Sequence, residues 1–205
     1  NLNKHRIVLF SYEAHDEQQS TIDYMAQAIS RASSAHGRQI NTDILTMWSS
    51  VASLNINAGT PADITVDDIL DMREHLIKGF ADMTKTVLVI AADQEKAMLK
   101  LPEFARYDYR GGGNAPVYNG QIGFVYGVPV VINQQVAAQQ AYMVNWEGSG
   151  YAFQKSPSVA EQPDITYGTG GKLVAVDCDY GVGGLLLGEG GAASGKSPLI
   201  AKLAD

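Results

Sequence analysis

The strongest constraint on the fold is one helical register near the N-terminus that persists over about 30 residues. It follows a Ser-x-x-acidic capping pattern at Ser20–Asp23 and continues in the same phase beyond Gly37. If continuous, such a helix would be roughly 45 Å long. The alternative is two helices that break at Gly37, because glycine costs about 1 kcal/mol in a helix interior. The sequence favours one helix, with small or apolar residues at Ile22, Met25, Ala26, Ile29, Ala32, Ile40, Ile44, Met47, Trp48 and Val51.

The stretch Val117–Val136 predicts a glycine-rich hairpin. Asn119-Gly120 is a tight-turn signal, and Gly123 and Gly127 lie in a run of Val, Ile, Phe and Tyr that favours strand. Glycines in such a run mark a bulge or a close backbone approach. Pro129 lacks a backbone N–H, so its strand should begin there or lie at an edge. The stretch offers no acid, base, nucleophile or metal ligand, which indicates assembly rather than chemistry.

The remaining elements alternate irregularly, so the sequence predicts an α+β fold and disfavours a doubly wound nucleotide-binding sheet. Thr65 is expected to cap a helix whose buried stripe is Val66, Ile69, Leu70, Leu76, Ile77 and Phe80. Asp93 is expected to cap a short helix that Pro102 ends. The predicted loops are Leu54–Asp63 and Arg110–Pro116, and the predicted strands are Ile7–Phe10, Thr86–Ala91, Ala141–Trp146 and Tyr151–Gln154. Further along, Leu173–Asp177 alternates weakly, and Tyr180–Leu187 is glycine-rich and apolar.

Composition narrows the classes of function. Hydrophobic residues make up 45% and charged residues 18%, which supports a packed core. A net charge of −7 argues against tight binding of nucleic acid through the electrostatic field of the whole chain. The single cysteine, Cys178, cannot form an internal disulfide, and its neighbours Asp177 and Asp179 disfavour a thiolate. No apolar run could span a bilayer and no signal peptide is visible, so no membrane partner is expected.

The polar residues do not assemble into a recognisable catalytic or metal motif. The four histidines lack zinc-site spacing, and we interpret His36 and His75 as surface side chains. The acidic residues around Thr65 fit compensation of a helix dipole better than a metal site. We therefore expect no catalytic residue, no metal and no cofactor; the groups considered are His5, His15, His36, His75, Asp63, Asp67, Asp68 and Asp71.

One motif supports a different class of function. Residues 190–197, GGAASGKS, match the phosphate-binding pattern G-x-x-x-x-G-K-[ST], in which Lys196 would neutralise phosphates and Ser197 would hold magnesium. That reading requires a buried strand before the loop and a helix after it. Pro198 follows directly, so the sequence favours a flexible tail of small residues. A P-loop nucleotide-binding protein remains the alternative function.

Taken in order, several segments resemble the major capsid protein of tailed bacteriophages, the Hong Kong 97-type capsid fold. The resemblance covers nearly the whole chain. The segments that carry it are FSYEAHD, IDYMAQAISRASSAHGRQINTDIL, TVDDILDMREHL, TVLVIAADQEKAMLKLPEF, YNGQIGFVYGVPVVINQQV, AYMVNW, GYAFQKSPSVAEQPDITYG and LVAVDCDYGVGGLLL.

The resemblance implies a domain layout. Residues 1–15 would end an extended loop, residues 16–64 would form a peripheral domain with a spine helix, and residues 65–168 an axial domain. Residues 169–205 would return to the peripheral domain and a C-terminal tail. The family's N-terminal arm and most of its extended loop would lie upstream of Asn1, so we expect that upstream residues were lost, processed or left out.

The resemblance also implies a function and partners. The chain would assemble as pentamers and hexamers into an icosahedral shell around double-stranded DNA, in the virion, after assembly in the host cytoplasm. Its partners would be copies of itself, scaffolding, cement or portal proteins, and packaged DNA bound without sequence specificity. Candidate intersubunit contacts are Gly111, Gly112, Gly113, Gly120, Gly127 and Phe10.

Overall fold

The computed structural model describes residues 4–12, 24–57, 62–101, 123–163, 171–184 and 197–203. The chain divides into two compact units. The first unit comprises residues 1–44 and 151–183, and the second comprises residues 45–150 and 184–205.

Helix α1 (Tyr24–Val51) is one continuous helix of 28 residues, about 42 Å long. It passes through Gly37 without a break, so the prediction of a single helix is confirmed. A Cβ added at Gly37 would meet no atom within 4 Å. The predicted capping pattern at Ser20–Asp23 lies outside the described residues.

A three-stranded sheet belongs to the first unit. Its strands are β1 (Lys4–Tyr12), β7 (Ser149–Pro163) and β8 (Lys172–Gly184), in the order β1-β8-β7. β1 and β8 are antiparallel, from Lys4 opposite Tyr180 to Tyr12 opposite Lys172. β8 includes the weakly alternating stretch Leu173–Asp177 and continues past Tyr180 into the glycine-rich stretch. The predicted strand at Tyr151–Gln154 is part of the longer β7.

One face of β8 is buried and is linked to helix α1. Its residues alternate between half-exposed and buried, and Val174, Val176, Cys178 and Tyr180 form the buried face. The buried face is joined to α1 by hydrogen bonds from His36 to Val176 and from Tyr180 to Asp43. His36 is therefore a buried residue of the helix, not the surface histidine that the sequence predicted.

A six-stranded sheet belongs to the second unit. Its strands are β2 (Ala52–Ile56), β3 (Thr86–Ile90), β4 (Phe124–Val125), β5 (Val128–Ile132), β6 (Ala141–Asn145) and β9 (Ser197–Leu203). They lie in the order β2-β9-β6-β3-β5-β4. β2 and β9 are parallel, as are β3 and β5, whereas β6 is antiparallel to both β3 and β9.

β9 corrects the prediction of a flexible tail at this end of the chain. Six of its seven residues are buried, and only Pro198 is partly exposed. Its partner β2 overlaps, at Leu54–Ile56, the segment Leu54–Asp63 that the sequence predicted to be a loop. The charged residue Lys202 interrupts the apolar pattern of this strand, so the sequence did not predict it. That side chain is buried and donates to Ser49 Oγ at 2.9 Å.

Helix α2 (Val66–Lys78) begins as predicted, with a capping box between Thr65 and Asp68. Its buried stripe is only partly the predicted one. Ile69 and Leu76 are buried, but Leu70, Ile77 and Phe80 are exposed. Because the capping box holds Asp68 inward, the buried face continues through Met72 instead, and Phe80 lies beyond the helix end with φ 60° and 97% exposure.

Helix α3 (Ala92–Lys100) follows β3 directly, as the sequence predicted for a strand and a short helix. Its N-cap is Ala91, which makes no side-chain hydrogen bond, so the assignment of Asp93 as the cap is wrong. Asp93 lies in the first turn, where its Oδ2 accepts a 2.6 Å hydrogen bond from the backbone N–H of Gln139. Pro102 lies outside the described residues.

The β4–β5 connection is a two-residue turn. Tyr126 and Gly127 both have positive φ, 48° and 82°, as this type of hairpin requires. The predicted turn at Asn119-Gly120 lies outside the described residues. Pro129 is the second residue of β5, and pairing with β3 begins only at Val130, so its missing N–H removes no hydrogen bond from that ladder.

Alanine substitutions at two glycines test the continuous course of α1 and the packing around β9. Gly37→Ala should stabilise the chain by about 0.5–1 kcal/mol, since the methyl group meets open space and alanine favours helix. Gly79→Ala should destabilise it, because the new Cβ would lie 2.8 Å from the carbonyl oxygen of Pro198. Thermal and denaturant unfolding measure both changes, and equal effects of the two substitutions would contradict this packing.

Candidate functional site

The predicted contact residues fall in both units, and four of them lie outside the described residues. Those four are Gly111, Gly112, Gly113 and Gly120. Gly127 is exposed in the β4–β5 turn of the second unit. Phe10 is half-buried in β1 of the first unit, opposite Val174. Of the six predicted residues, the structure therefore places two, and it does not bring them together in one unit.

Around Gly127 the structure presents an exposed apolar surface, which we call the hairpin patch. It lies on β4, the two-residue edge strand, and on the neighbouring β5. Val125 and Val128 on the same hairpin are buried in the core and Val130 packs against it, so the hairpin is anchored to the second unit. Residues 123–136 contain no charged side chain. The hairpin patch consists of Phe124 and Val131, which share one face of the sheet, and Tyr126 in the turn. Ile132 is also exposed but points to the other face.

A second exposed apolar pair lies on β1. Ile7 and Leu9 are 49% and 60% exposed, whereas Phe10 shares the opposite face with Arg6 and Val8. Sequence reasoning missed this pair because Ile7–Phe10 is uniformly apolar, so no alternation indicated which side chains point outward.

The most polar buried cluster centres on Asp43 of α1. Its carboxylate accepts a 2.6 Å hydrogen bond from the hydroxyl of Tyr180 on β8. Gln39 Nε2 donates at 3.3 Å, and the cations of Lys4 and Arg6 on β1 approach to 3.5 Å. Burial alone would raise the pKa of Asp43. The Tyr180 hydroxyl and the two cations outweigh it, so this pKa lies below its ordinary value.

Two side chains on the buried face of β8, Tyr180 beside Asp43 and Cys178 beside His36, are held in unreactive forms. Burial, followed by the hydrogen bond to Asp43, raises the pKa of Tyr180 to about 12. Burial and then the charges of Asp179 and Asp177 raise the pKa of the Cys178 thiol, in the direction that the sequence predicted. A thiol with a raised pKa is a poor nucleophile at neutral pH. The cluster therefore joins elements together and provides no activated group.

The other histidine that the sequence considered, His75, lies in the second unit. It is half-buried on α2, and its Nε2 is 2.6 Å from Ser53 Oγ on β2. Burial first and the charge of Lys78 second lower the pKa of His75. Within the part of the chain that the structure describes, no three His, Cys, Asp or Glu residues are grouped to hold a metal ion. Of the acidic cluster, Asp68 instead completes the capping box.

The structure does not support the P-loop alternative. Ser197 is fully buried and begins β9, where its Oγ accepts from the backbone N–H of Leu199 at 3.4 Å. A strand thus follows Lys196 at the point where a phosphate-binding loop needs a helix N-terminus. Among the described helices, none is long and apolar enough to cross a membrane.

Solved structures with the same fold come from phage capsids. A structure of Mycobacterium phage Che8 aligns with a TM-score of 0.75 at 15% identity, covering 98% of this chain and 71% of its own. The capsid of cyanophage P-SCSP1u gives 0.77 at 12% identity, covering 100% and 73%. The capsid of an empty GTA particle gives 0.73 at 14%, covering 97% and 72%. The fold is therefore a phage capsid-like fold with mixed helix and sheet.

The sequence comparison agrees with the fold. The phage capsid protein family matches residues 2–189, and the chain belongs to that family. No curated protein matches the chain. The resemblance to tailed-phage capsid proteins is confirmed, and the chain is a structural protein of the virion.

The Asp43 cluster predicts an acid-sensitive contribution to stability. Asp43→Asn should lower the free energy of unfolding at pH 7 by about 1–3 kcal/mol, since Lys4, Arg6 and Tyr180 lose a charged partner. Because the folded pKa is depressed, this contribution is complete above the unfolded pKa of 3.8 and is lost as pH falls through the folded value. The difference between wild type and variant should therefore shrink below about pH 4.

Denaturant unfolding at several pH values measures this difference. Glu161→Gln is the matched control, because it removes an exposed ion pair with Lys172 and should change stability little. A loss for Asp43→Asn no larger than that of the control, or one independent of pH, would contradict a charged Asp43.

Proposed function

We propose that this chain is the major capsid protein that self-assembles as pentamers and hexamers into an icosahedral shell around double-stranded DNA. The observation that carries the proposal is the match of the phage capsid protein family to residues 2–189. The likeness of fold along 97–100% of the chain to capsid structures supports it. The function is structural and non-enzymatic, and the shell would assemble in the host cytoplasm.

We propose the Hong Kong 97-type layout for the subunit. Residues 16–64 would be a peripheral domain around the spine helix, residues 65–168 an axial domain, and residues 169–205 a return to the peripheral domain. Residues 1–15 would end an extended loop. The unbroken course of α1 through Gly37 supports the spine helix.

Contacts between copies would form partly at the hairpin patch, close to the candidate residue Gly127. Exposed apolar area of this kind is a usual mark of a binding surface. Each copy carries a net charge of −7, so two copies approach most easily through a surface without charges, and residues 123–136 provide one. Gly111, Gly112, Gly113, Gly120 and Phe10 are the further candidate contacts. Rings of subunits need such contacts to be heterologous, with different surfaces meeting.

Electron microscopy of the full-length product tests the proposal. Expressed alone or with a scaffolding protein, it should form closed shells with fivefold and sixfold capsomers. Size-exclusion chromatography with light scattering should show particles in place of single chains. Persistent monomers under every assembly condition would contradict the proposed function.

The hairpin patch predicts a specific assembly defect. Val131→Lys should abolish or strongly reduce shell formation, because it places a charge in an apolar contact, while the isolated chain stays folded. The reason is that Val131 is 49% exposed and its side chain is not part of the core. Particle yield measures assembly, and circular dichroism with thermal melting checks folding.

Val159→Lys is the matched control, since Val159 is exposed to a similar extent on β7 of the first unit. It should leave particle yield within about twofold of wild type, as usual for surface substitutions away from a contact. Normal shells from Val131→Lys would show that the hairpin patch is not a contact.

A further inference from the structure

The exposed face of α1 has an unusual charge pattern. Between Tyr24 and Val51 the only carboxylate is Asp43, which is buried and bound to Tyr180. The opposite side of the helix, which we call the outer helix face, carries arginines and small hydroxyl side chains. It consists of Gln27, Ser30, Arg31, Ser33, Ser34, Gly37, Arg38 and Thr42, all exposed and all in the first unit.

The local charge of this face is opposite to that of the chain. The chain has 22 acidic and 15 basic residues, yet the outer helix face has two cations and no acid. Arg31 and Arg38 are seven residues apart, so they project from the same side about 10.5 Å apart along the axis. Within the described residues, no ion pair involves Arg31. A surface with this charge is complementary to a polyanion.

Gly37 is the second unusual feature of the outer helix face. Glycine inside a helix weakens it, and nothing within the described part of the molecule requires one at this position. A Cβ there would meet open space within 4 Å, and its φ is not among the positive values that only glycine favours. Ser34 and Ser30 lie one turn and two turns before Gly37, so small side chains follow one another along the centre of the face. Small side chains allow another backbone to approach closely.

We propose that the outer helix face contacts the phosphate backbone of the packaged double-stranded DNA, which makes it the DNA-facing side of the first unit. This inference rests on the proposed function and goes further by naming the surface. Arginine binds phosphate oxygens through charge-assisted hydrogen bonds, and serine hydroxyls also contact phosphates. Such contacts are independent of base sequence. Two cations per copy give a weak contact that becomes useful when repeated over many copies.

Binding of a fluorescently labelled DNA duplex of about 30 base pairs to the full chain tests this inference at about 50 and 150 mM salt. Wild type should bind the duplex with an affinity that falls as salt rises. Arg31→Glu should weaken binding about tenfold at the lower salt and reduce the slope of log K against log salt by about 1. Lys96→Glu is the matched control, since it makes the same charge change at an exposed position on α3.

A second variant, Gly37→Glu, adds a carboxylate to the centre of the face without removing any existing contact. It should weaken duplex binding more than Gly37→Ala, which adds only a methyl group to the face. Thermal melting confirms that each variant is folded. The inference is overturned if wild type does not bind the duplex at the lower salt, or if Lys96→Glu loses as much affinity as Arg31→Glu.

Electron microscopy of the same preparations separates this inference from the proposed function. Normal shells from wild type and Arg31→Glu, with equal affinity for the duplex, would overturn the DNA contact and leave the shell function standing. Loss of shells in Arg31→Glu with unchanged duplex affinity would mean that an acidic surface of a second copy covers this face instead. Absence of shells from wild type would count against the proposed function, while duplex binding would still be measured independently.

Discussion

The first unit depends on one buried carboxylate. A charge removed from water is costly unless it is paired and hydrogen-bonded. Asp43 meets that condition only where α1 lies against both β1 and β8, because its partners Arg6 and Tyr180 come from those two strands. The carboxylate thus fixes which side of α1 faces the sheet. The opposite side, with Arg31 and Gly37, therefore faces solvent or a partner.

In the second unit the corresponding constraint is a pairing between distant parts of the chain. β9 lies between β2 and β6 and supplies Ile200, Ala201 and Leu203 to the core. Its partners are separated from it by roughly 50 to 150 residues, so loop-closure entropy opposes the pairing. The pairing becomes favourable only when the contacts of the rest of the sheet form as well. The sheet, and with it the position of the hairpin patch at the β4 edge, therefore depends on residues close to the chain's C-terminal end.

The difference between local and long-range interactions explains which elements could be predicted from the sequence. Helix signals are local, since residues three and four apart share a face, and they were sufficient for α1 and for the Thr65 cap. Strand partners are not encoded locally, so the end of β2 was assigned to a loop and β9 to a tail. Burial of His36 could not be foreseen either, because its hydrogen-bond partner, the carbonyl of Val176, lies 140 residues away. Of the candidate contacts, Gly127 was proposed from its place in the resemblance, and its turn with Tyr126 was not predicted. The outward side chains of Ile7 and Leu9 were hidden in a uniformly apolar run.

An acidic chain can associate with copies of itself and with DNA only if the surfaces that touch differ from the average surface. At physiological salt the Debye length is about 8 Å, so charges beyond the contact are screened while those inside it are not. What decides association is therefore the local composition. The hairpin patch lies in a segment without charges, and the outer helix face lacks carboxylates although the chain has a net charge of −7. Acidic residues are placed elsewhere, including Asp67, Asp71 and Glu74 on α2. Such a distribution permits close contact at selected surfaces although the chain as a whole is acidic.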